Sequence, residues 1–166
     1  MIHARKAFLQ GLNPKQNRTI PPLNYDVVKK LKKSNPELLI EINGGFKNID
    51  DSLKVLNHFD GVMIGRAVLE NPYSIIDVDN LFYDDNSLVP SRIKIAEDMI
   101  YYLEDCAQKG IPINIITQNM LGLFHGCRGA KVWRSYLSHQ APRRRDDPKV
   151  LSEAINLVLE AQNEAA

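Results

Sequence analysis

Leu38-Leu39-Ile40-Glu41-Ile42-Asn43-Gly44-Gly45 and, one helix length further on, Asp60-Gly61-Val62-Met63-Ile64-Gly65-Arg66 are the stretches that decide the fold. Each is a short apolar run ending in glycine, the pattern of a buried strand that enters a tight turn. Between them, residues 51–59 place Leu53, Val55 and Leu56 at helical spacing. Upstream, Asn24 is a candidate cap for a helix over residues 25–33, with Val27, Val28 and Leu31 on its inner side and Asn35-Pro36 ending it. Met1-Ile2-His3 reads as the last residues of another strand, and a short helix follows Gly65-Arg66. Continuous apolar strands alternating with helices predict a parallel sheet, covered on both faces or closed into a barrel. Two and a half strands leave parallel edges unpaired, so the expectation is a chain truncated before Met1.

Outward from this α/β portion the pattern changes. Residues 11–23 form a polar stretch in which Asn13-Pro14 and Pro21-Pro22 predict an irregular loop. Residues 77–85 form an acidic connector carrying Asp77, Asp79, Asp84 and Asp85. Beyond it the periodicity is helical throughout. Ser91 caps a helix to Lys109 with Ala96, Met99, Ile100 and Leu103 on one stripe and Gly110 at its exit. Pro112 opens a second helix that runs through Ile116, Met120, Leu123 and Phe124. Residues 129–137 give a third, and Asp147-Pro148 starts a fourth with Leu151, Ala154, Ile155 and Val158 on its apolar face. The expected fold class is therefore α/β plus all-α: a parallel α/β part followed by a small helical bundle.

The 166 residues are 44% hydrophobic with a formal net charge of +1, so overall charge says nothing about nucleic acid. Distribution says more. From Cys106 to Arg145 there is no Asp or Glu, while Lys109, Arg128, Lys131, Arg134, Arg143, Arg144 and Arg145 fall inside. Such a block is either a polyanion-binding face or a solvated face balanced by acids elsewhere in space. Cys106 and Cys127 form no CxxC pair and have no His at ligand spacing, so no metal site is expected and Cys106 reads as a packing residue. No leader and no apolar run of membrane length is visible, which predicts a soluble cytoplasmic protein without a membrane partner.

Asn43-Gly44-Gly45 and Gly65-Arg66 both sit at the C-terminal ends of predicted parallel strands, where α/β folds place ligands. Without a Cβ, Gly44, Gly45 and Gly65 let backbone N–H groups approach phosphate oxygens. Arg66 can add a bidentate charge-assisted contact, and His3 at a neighbouring strand end another donor. Each piece alone reads equally as a turn glycine or a structural histidine. Together they favour a phosphate site of a kind that fits several ligands. There is no Walker loop, nucleophile elbow or acid/base pair, and neither cysteine lies at a strand end.

His3-Ala4-Arg5-Lys6, Gly11-Leu12-Asn13-Pro14-Lys15-Gln16-Asn17-Arg18, Ile20-Pro21-Pro22-Leu23, Glu41-Ile42-Asn43-Gly44-Gly45 and residues 60–66 resemble tRNA-dihydrouridine synthases of the A type. Asn71-Pro72-Tyr73, Met120-Leu121-Gly122-Leu123-Phe124-His125-Gly126 and Gly129-Ala130-Lys131-Val132-Trp133-Arg134 extend the resemblance along nearly the whole chain. It implies the C-terminal part of a TIM (β/α)8 barrel flavoprotein: residues 1–76 carry the end of strand 6 and strands 7 and 8. Residues 77–89 are then an acidic linker and 90–166 a helical tRNA-binding domain. It implies FMN as cofactor, NADPH as reductant, tRNA as partner and reduction of D-loop uridines to dihydrouridine. His3, Asn43, Gly44, Gly45, Gly65 and Arg66 match the family's FMN-contacting positions. Lys15, Arg18, Lys131 and Arg134 match positions that contact tRNA.

The same resemblance places the general-acid cysteine, a flavin-contacting lysine and the strands around the isoalloxazine in an N-terminal half outside this chain. The chain alone is then expected to be inactive, with no catalytic residue of its own and with that half or a second copy of itself as a partner. Cys127-Arg128 stand where this branch has a Gln-Pro pair. Two other readings compete: a non-catalytic tRNA-binding remnant, and a different flavin barrel such as a dihydroorotate dehydrogenase relative.

Overall fold

The structure, a computed structural model, describes residues 1–83 and 85–164; Asp84 of the expected acidic connector lies outside the described residues. Contacts divide the chain into two compact units, Met1–Val68 and Leu69–Ala166. The division falls at Val68/Leu69, earlier in the chain than residue 76.

The first unit is built on three parallel strands in the order β1 (Ile2–His3), β2 (Glu41–Asn43) and β3 (Gly61–Met63). Helices α1 (Pro14–Asn17) and α2 (Tyr25–Ser34) lie between β1 and β2, α3 (Ile49–Leu53) between β2 and β3, and α4 (Arg66–Glu70) follows β3. Parallel strands joined through helices are what a segment of a β/α barrel presents. Register makes the chemistry of the two faces plain. Ile2 pairs with Ile42 and Ile42 with Val62, so these three share one face; His3, Asn43 and Met63 are paired in turn on the other. The first row belongs to a core with Ala4, Val28, Ile40, Phe46 and Phe59, in which Ile42 is fully buried. The second row is open enough to leave Met63 exposed.

Three local expectations change. Residues 14–17 are helical, not irregular: Pro14 occupies the first helical turn, where its missing N–H costs nothing. Asn13 Oδ1 accepts from Gln16 N at 2.9 Å while Gln16 Oε1 accepts from Asn13 N at 2.9 Å, a reciprocal cap. β2 begins only at Glu41, leaving Leu38 and Leu39 exposed, because the Ile40 amide donates to the Asp60 carboxylate at 2.7 Å instead of to a strand. α3 starts at Ile49, with Asn48 accepting from Asp51 N at 2.8 Å, and stops at Leu53 rather than reaching Phe59. Tighter turns follow, such as Val55 N to Ser52 O at 3.1 Å, in a stretch that carries the weak helix former Asn57.

The second unit is helical among its described residues. A 3₁₀ turn at Pro72–Ile75 is followed by α5 (Val78–Phe82), α6 (Arg92–Gln108), α7 (Ile113–Thr117), α8 (Ala130–Gln140) and α9 (Lys149–Asn163). Ser91 caps α6 by accepting from Lys94 N at 3.1 Å. α9 buries Val150, Leu151, Ala154, Ile155 and Val158, the stripe an amphipathic helix turns to its neighbours. Trp133 of α8 is fully buried. Its ring meets Phe124 edge-on at 4.8 Å between centroids, and its indole N–H donates to Met120 O at 2.9 Å. Cys106 is a buried free thiol on α6.

α7 ends at Thr117 rather than running to Phe124. Successive three-residue turns replace it, with Met120 N on Thr117 O and Leu123 N on Met120 O, in a segment punctuated by Gly122 and Gly126. Met120, Leu123 and Phe124 stay buried all the same. Gly122 is required there: a Cβ would lie 2.3 Å from the Glu70 carbonyl oxygen.

Candidate functional site

The site in the first unit grows from the strand ends. His3 and Asn43 are register partners on adjacent strands, and Asn43 pairs in turn with Met63, so the residues after β2 and β3 emerge side by side. Asn43 Nδ2 donates to Met63 Sδ at 2.7 Å. Gly44 and Gly45 then turn with φ of 122° and 83°, a region closed to most L residues. Space closes it as well. A Cβ on Gly44 would lie 2.8 Å from Leu23 Cδ2 and 3.2 Å from His3 Cε1, and one on Gly45 2.6 Å from Leu23 Cδ1. The His3 ring therefore lies directly against the Gly44 backbone.

Tyr25 completes this turn and has no signature in the sequence. Its hydroxyl donates to Gly44 O at 2.6 Å, and its ring packs on Phe46 at 5.5 Å between centroids. Burial pushes the phenol pKa up, against the opposing pull of Arg5, so the group stays a donor. Leu23 and Tyr25 are brought in by the chain's return past β1, where Asn24 N donates to Ala4 O at 2.6 Å and Arg5 Nη1 to the Thr19 carbonyl at 3.3 Å and to that of Pro21.

Gly65 and Arg66 follow β3 at the same end of the sheet. Gly65 has open space where a Cβ would go, and Arg66 is exposed with no ion pair among the described residues. Among the described residues no hydrogen bond joins Arg66 to His3 or Asn43: the structure gathers His3, Asn43, Gly44 and Gly45 closely, while Gly65 and Arg66 follow the neighbouring strand, Arg66 as the first residue of α4.

Lys15 and Arg18 project from α1 and its cap, both exposed. Their loop is ordered by Asn17, whose side chain accepts from Phe8 N at 2.8 Å and donates to Phe8 O at 2.8 Å.

In the second unit, Lys131 and Arg134 are exposed on α8, three residues apart on one side, while Trp133 and Leu137 face the core. The rest of the acid-free block is only partly free. Arg144 bridges Asp147 at 2.7 Å and Glu153 at 2.5 Å, with the Tyr136 hydroxyl donating to the same Glu153. Arg144 holds both carboxyls below their ordinary range, helped at Glu153 by Tyr136. Lys109 pairs with Asp105 at 2.6 Å. Arg128 donates its Nε–H to the Ala161 carbonyl near the end of α9, so its charge is tied to a helix terminus. The partners come from outside residues 106–145 or from the backbone. Lys131, Arg134, Arg143 and Arg145 keep unpaired side-chain charges among the described residues.

No group of three or more His, Cys, Asp and Glu side chains that could hold a metal ion occurs among the described residues. No described helix is long and apolar enough to cross a membrane.

The chain belongs to the dihydrouridine synthase family, whose model matches residues 1–162. It is 48% identical over 154 residues to a tRNA-dihydrouridine(20/20a) synthase of Synechocystis sp., covering 93% of this chain and 46% of that protein. It is 43% identical over 161 residues to the tRNA-dihydrouridine(20/20a) synthase of Haemophilus ducreyi, covering 96% of this chain and 50% of that one. With the protein of the same description from Shewanella oneidensis, identity is 48% over 141 residues, or 85% and 42% of the two chains. The chain thus spans about half the length of the curated relatives it matches.

Proposed function

We propose that this chain is the C-terminal portion of an FMN-dependent tRNA-dihydrouridine synthase, an oxidoreductase that reduces D-loop uridines of tRNA to 5,6-dihydrouridine with NADPH. In this reading residues 1–76 supply strands 7 and 8 and the end of strand 6 of a TIM barrel, 77–89 link, and 90–166 form the tRNA-binding helical bundle. The enzyme works in the cytoplasm. The proton donor and the remainder of the flavin cradle lie in an N-terminal half, and this chain by itself is inactive.

One observation carries the reading: groups able to donate hydrogen bonds gather at the C-terminal end of the sheet. The His3 ring, the Asn43 amide, the backbone N–H groups of Gly44, Gly45 and Gly65 and the Arg66 guanidinium can all donate. That donor set fits the phosphate of FMN. The glycine turn fits too, because φ of 122° and 83° and the close approach of Leu23 leave no room for a Cβ at Gly44 or Gly45, so the turn keeps its bare backbone. Bound FMN supplies hydride transfer to the uracil ring. The chain's own residues bind and orient: His3, Asn43, Gly44, Gly45, Gly65 and Arg66 hold the cofactor, and Lys15, Arg18, Lys131 and Arg134 hold tRNA. A uracil has to leave its stack to reach a flavin, so contacts that fix the RNA around it are required.

The test is an FMN titration of the chain together with its N-terminal half, with and without Arg66→Ala, read by the visible flavin band after gel filtration. Loss of a charge-assisted phosphate contact, worth about 1.5–3 kcal/mol, weakens FMN retention roughly 10- to 100-fold and leaves tRNA affinity alone. Equal flavin content in the two proteins would reject the site.

A further inference from the structure

At the end of the sheet away from the glycine turns, where Ile40 and Asp60 lead into β2 and β3, there is a second basic feature. α2 and the turn at residues 56–60 enclose a groove of about 710 Å³ lined by Lys29, Lys30, Lys32, Lys33, His58 and Asp60, among others. One lysine is spoken for. Lys32 Nζ lies 2.9 Å from Asp60 and donates to the carbonyls of Pro36 at 3.0 Å and Leu38 at 2.6 Å. Asp60 is engaged as well, by the Ile40 amide and by Lys32, which together keep its carboxyl ionised below the usual range.

Lys29, Lys30 and Lys33 are different. Among the described residues none of them has an ion pair or a side-chain hydrogen bond, and Asp26, one turn back on the same helix, pairs with neither Lys29 nor Lys30. Lys33 with Lys29 and Lys30 forms i,i+4 and i,i+3 neighbours, so like charges crowd one strip of α2 at a cost to the helix. The helix dipole accounts for a cation in the last turn, at Lys33, but not for Lys29 and Lys30 in mid-helix. The uncompensated charge faces an open groove with no glycine turn or backbone amide cradle. Flexible point charges in a row suit the repeating phosphates of an RNA backbone better than one small anion.

We propose that Lys29, Lys30 and Lys33 form a second RNA-contacting surface, for backbone phosphates, at the opposite end of the sheet from the cofactor donors. This rests on the RNA-binding reading above and extends it to a face that reading does not use. The experiment measures binding of unfractionated tRNA to the full chain over a series of KCl concentrations. The chain is compared with Lys29→Gln/Lys30→Gln/Lys33→Gln, with the corresponding triple Arg variant, and with Lys131→Ala/Arg134→Ala.

Up to three lost single-strand phosphate contacts lower the log–log salt slope by as much as about 2, while the Arg variant keeps the wild-type slope. A triple Gln variant with the wild-type slope overturns the proposal; if the α8 variant still flattens the slope, the RNA reading survives it. A chain that binds no tRNA overturns both. Inorganic pyrophosphate binding that depends on the three lysines while tRNA binding does not would make the groove a small-anion site and also overturn the proposal.

Discussion

Replacing Gly122 by Ala tests the packing of the second unit at its tightest point. The added Cβ would stand 2.3 Å from the Glu70 carbonyl oxygen, 2.8 Å from its carbon and 3.0 Å from Pro72 Cδ. Carbon and oxygen normally approach no closer than about 3.3 Å, so one of the two backbone segments has to withdraw by about 1 Å. Gly122 is not in the left-handed region, so the penalty is steric alone. Overpacking of this kind costs about 1–3 kcal/mol, and a rigid carbonyl rather than a flexible side chain puts Gly122→Ala at about 3 kcal/mol.

Gly126 is the control. Its φ of 74° strains any other residue, but nothing lies within 4 Å of a Cβ, so Gly126→Ala costs about 1–2 kcal/mol. The chain has one tryptophan, and its indole is bonded to Met120, next to this turn, so fluorescence during urea unfolding reports the right place. With m of about 2 kcal/mol/M the Gly122 variant should lose about 1.5 M in midpoint and the Gly126 variant roughly half as much. A Gly122 variant more stable than the Gly126 variant would refute the steric reasoning.

Trp133→Phe keeps an aromatic ring beside Phe124 but removes one of the two donors to the Met120 carbonyl, which retains its bond from Leu123 N; a loss of about 0.5–1.5 kcal/mol is expected by circular dichroism in urea, and an unchanged midpoint would contradict it. The Arg144 network predicts acid sensitivity. Asp147 and Glu153 have folded pKa values below their unfolded ones, so their contribution is complete above about pH 5 and is lost as pH falls through the lowered values. Urea midpoints measured between pH 6 and pH 3 should fall more steeply for the natural chain than for Arg144→Gln; superimposable pH profiles would assign the acid sensitivity elsewhere.

What could be read from the sequence was what repeats locally. α6 and α9 were legible because Ser91, Pro148 and the spacing from Leu151 to Val158 are each carried within one segment. β2 and β3 were legible as positions, and with them the meeting of His3, Asn43, Gly44 and Gly45, since parallel strand ends necessarily emerge together. What failed depended on competition at a distance. The start of β2 is set by the Asp60 carboxylate taking the Ile40 amide, and the end of α7 coincides with a turn pressed against Glu70. Tyr25 reaches Gly44 across 19 residues through one hydroxyl, and no periodicity encodes that. The acid-free block left two readings open, because the sequence orders acids along the chain and not in space: Arg144 is balanced by Asp147 and Glu153, whereas Lys131 and Arg134 have no ion pair among the described residues.

Gly129 has a wider reach than its size suggests. It starts α8 in a left-handed conformation, φ 86°, with its bare backbone against α9, where a Cβ would sit 3.0 Å from Val158 Cγ1. The helix that carries Lys131 and Arg134 therefore takes its bearing from the middle of the last helix. Sequence drift at position 158 is coupled to the aim of side chains nearly thirty positions earlier. A bulkier residue there would re-point the basic face without touching any of its charges, and a lineage that enlarges this residue has no smaller one than glycine to offer in return.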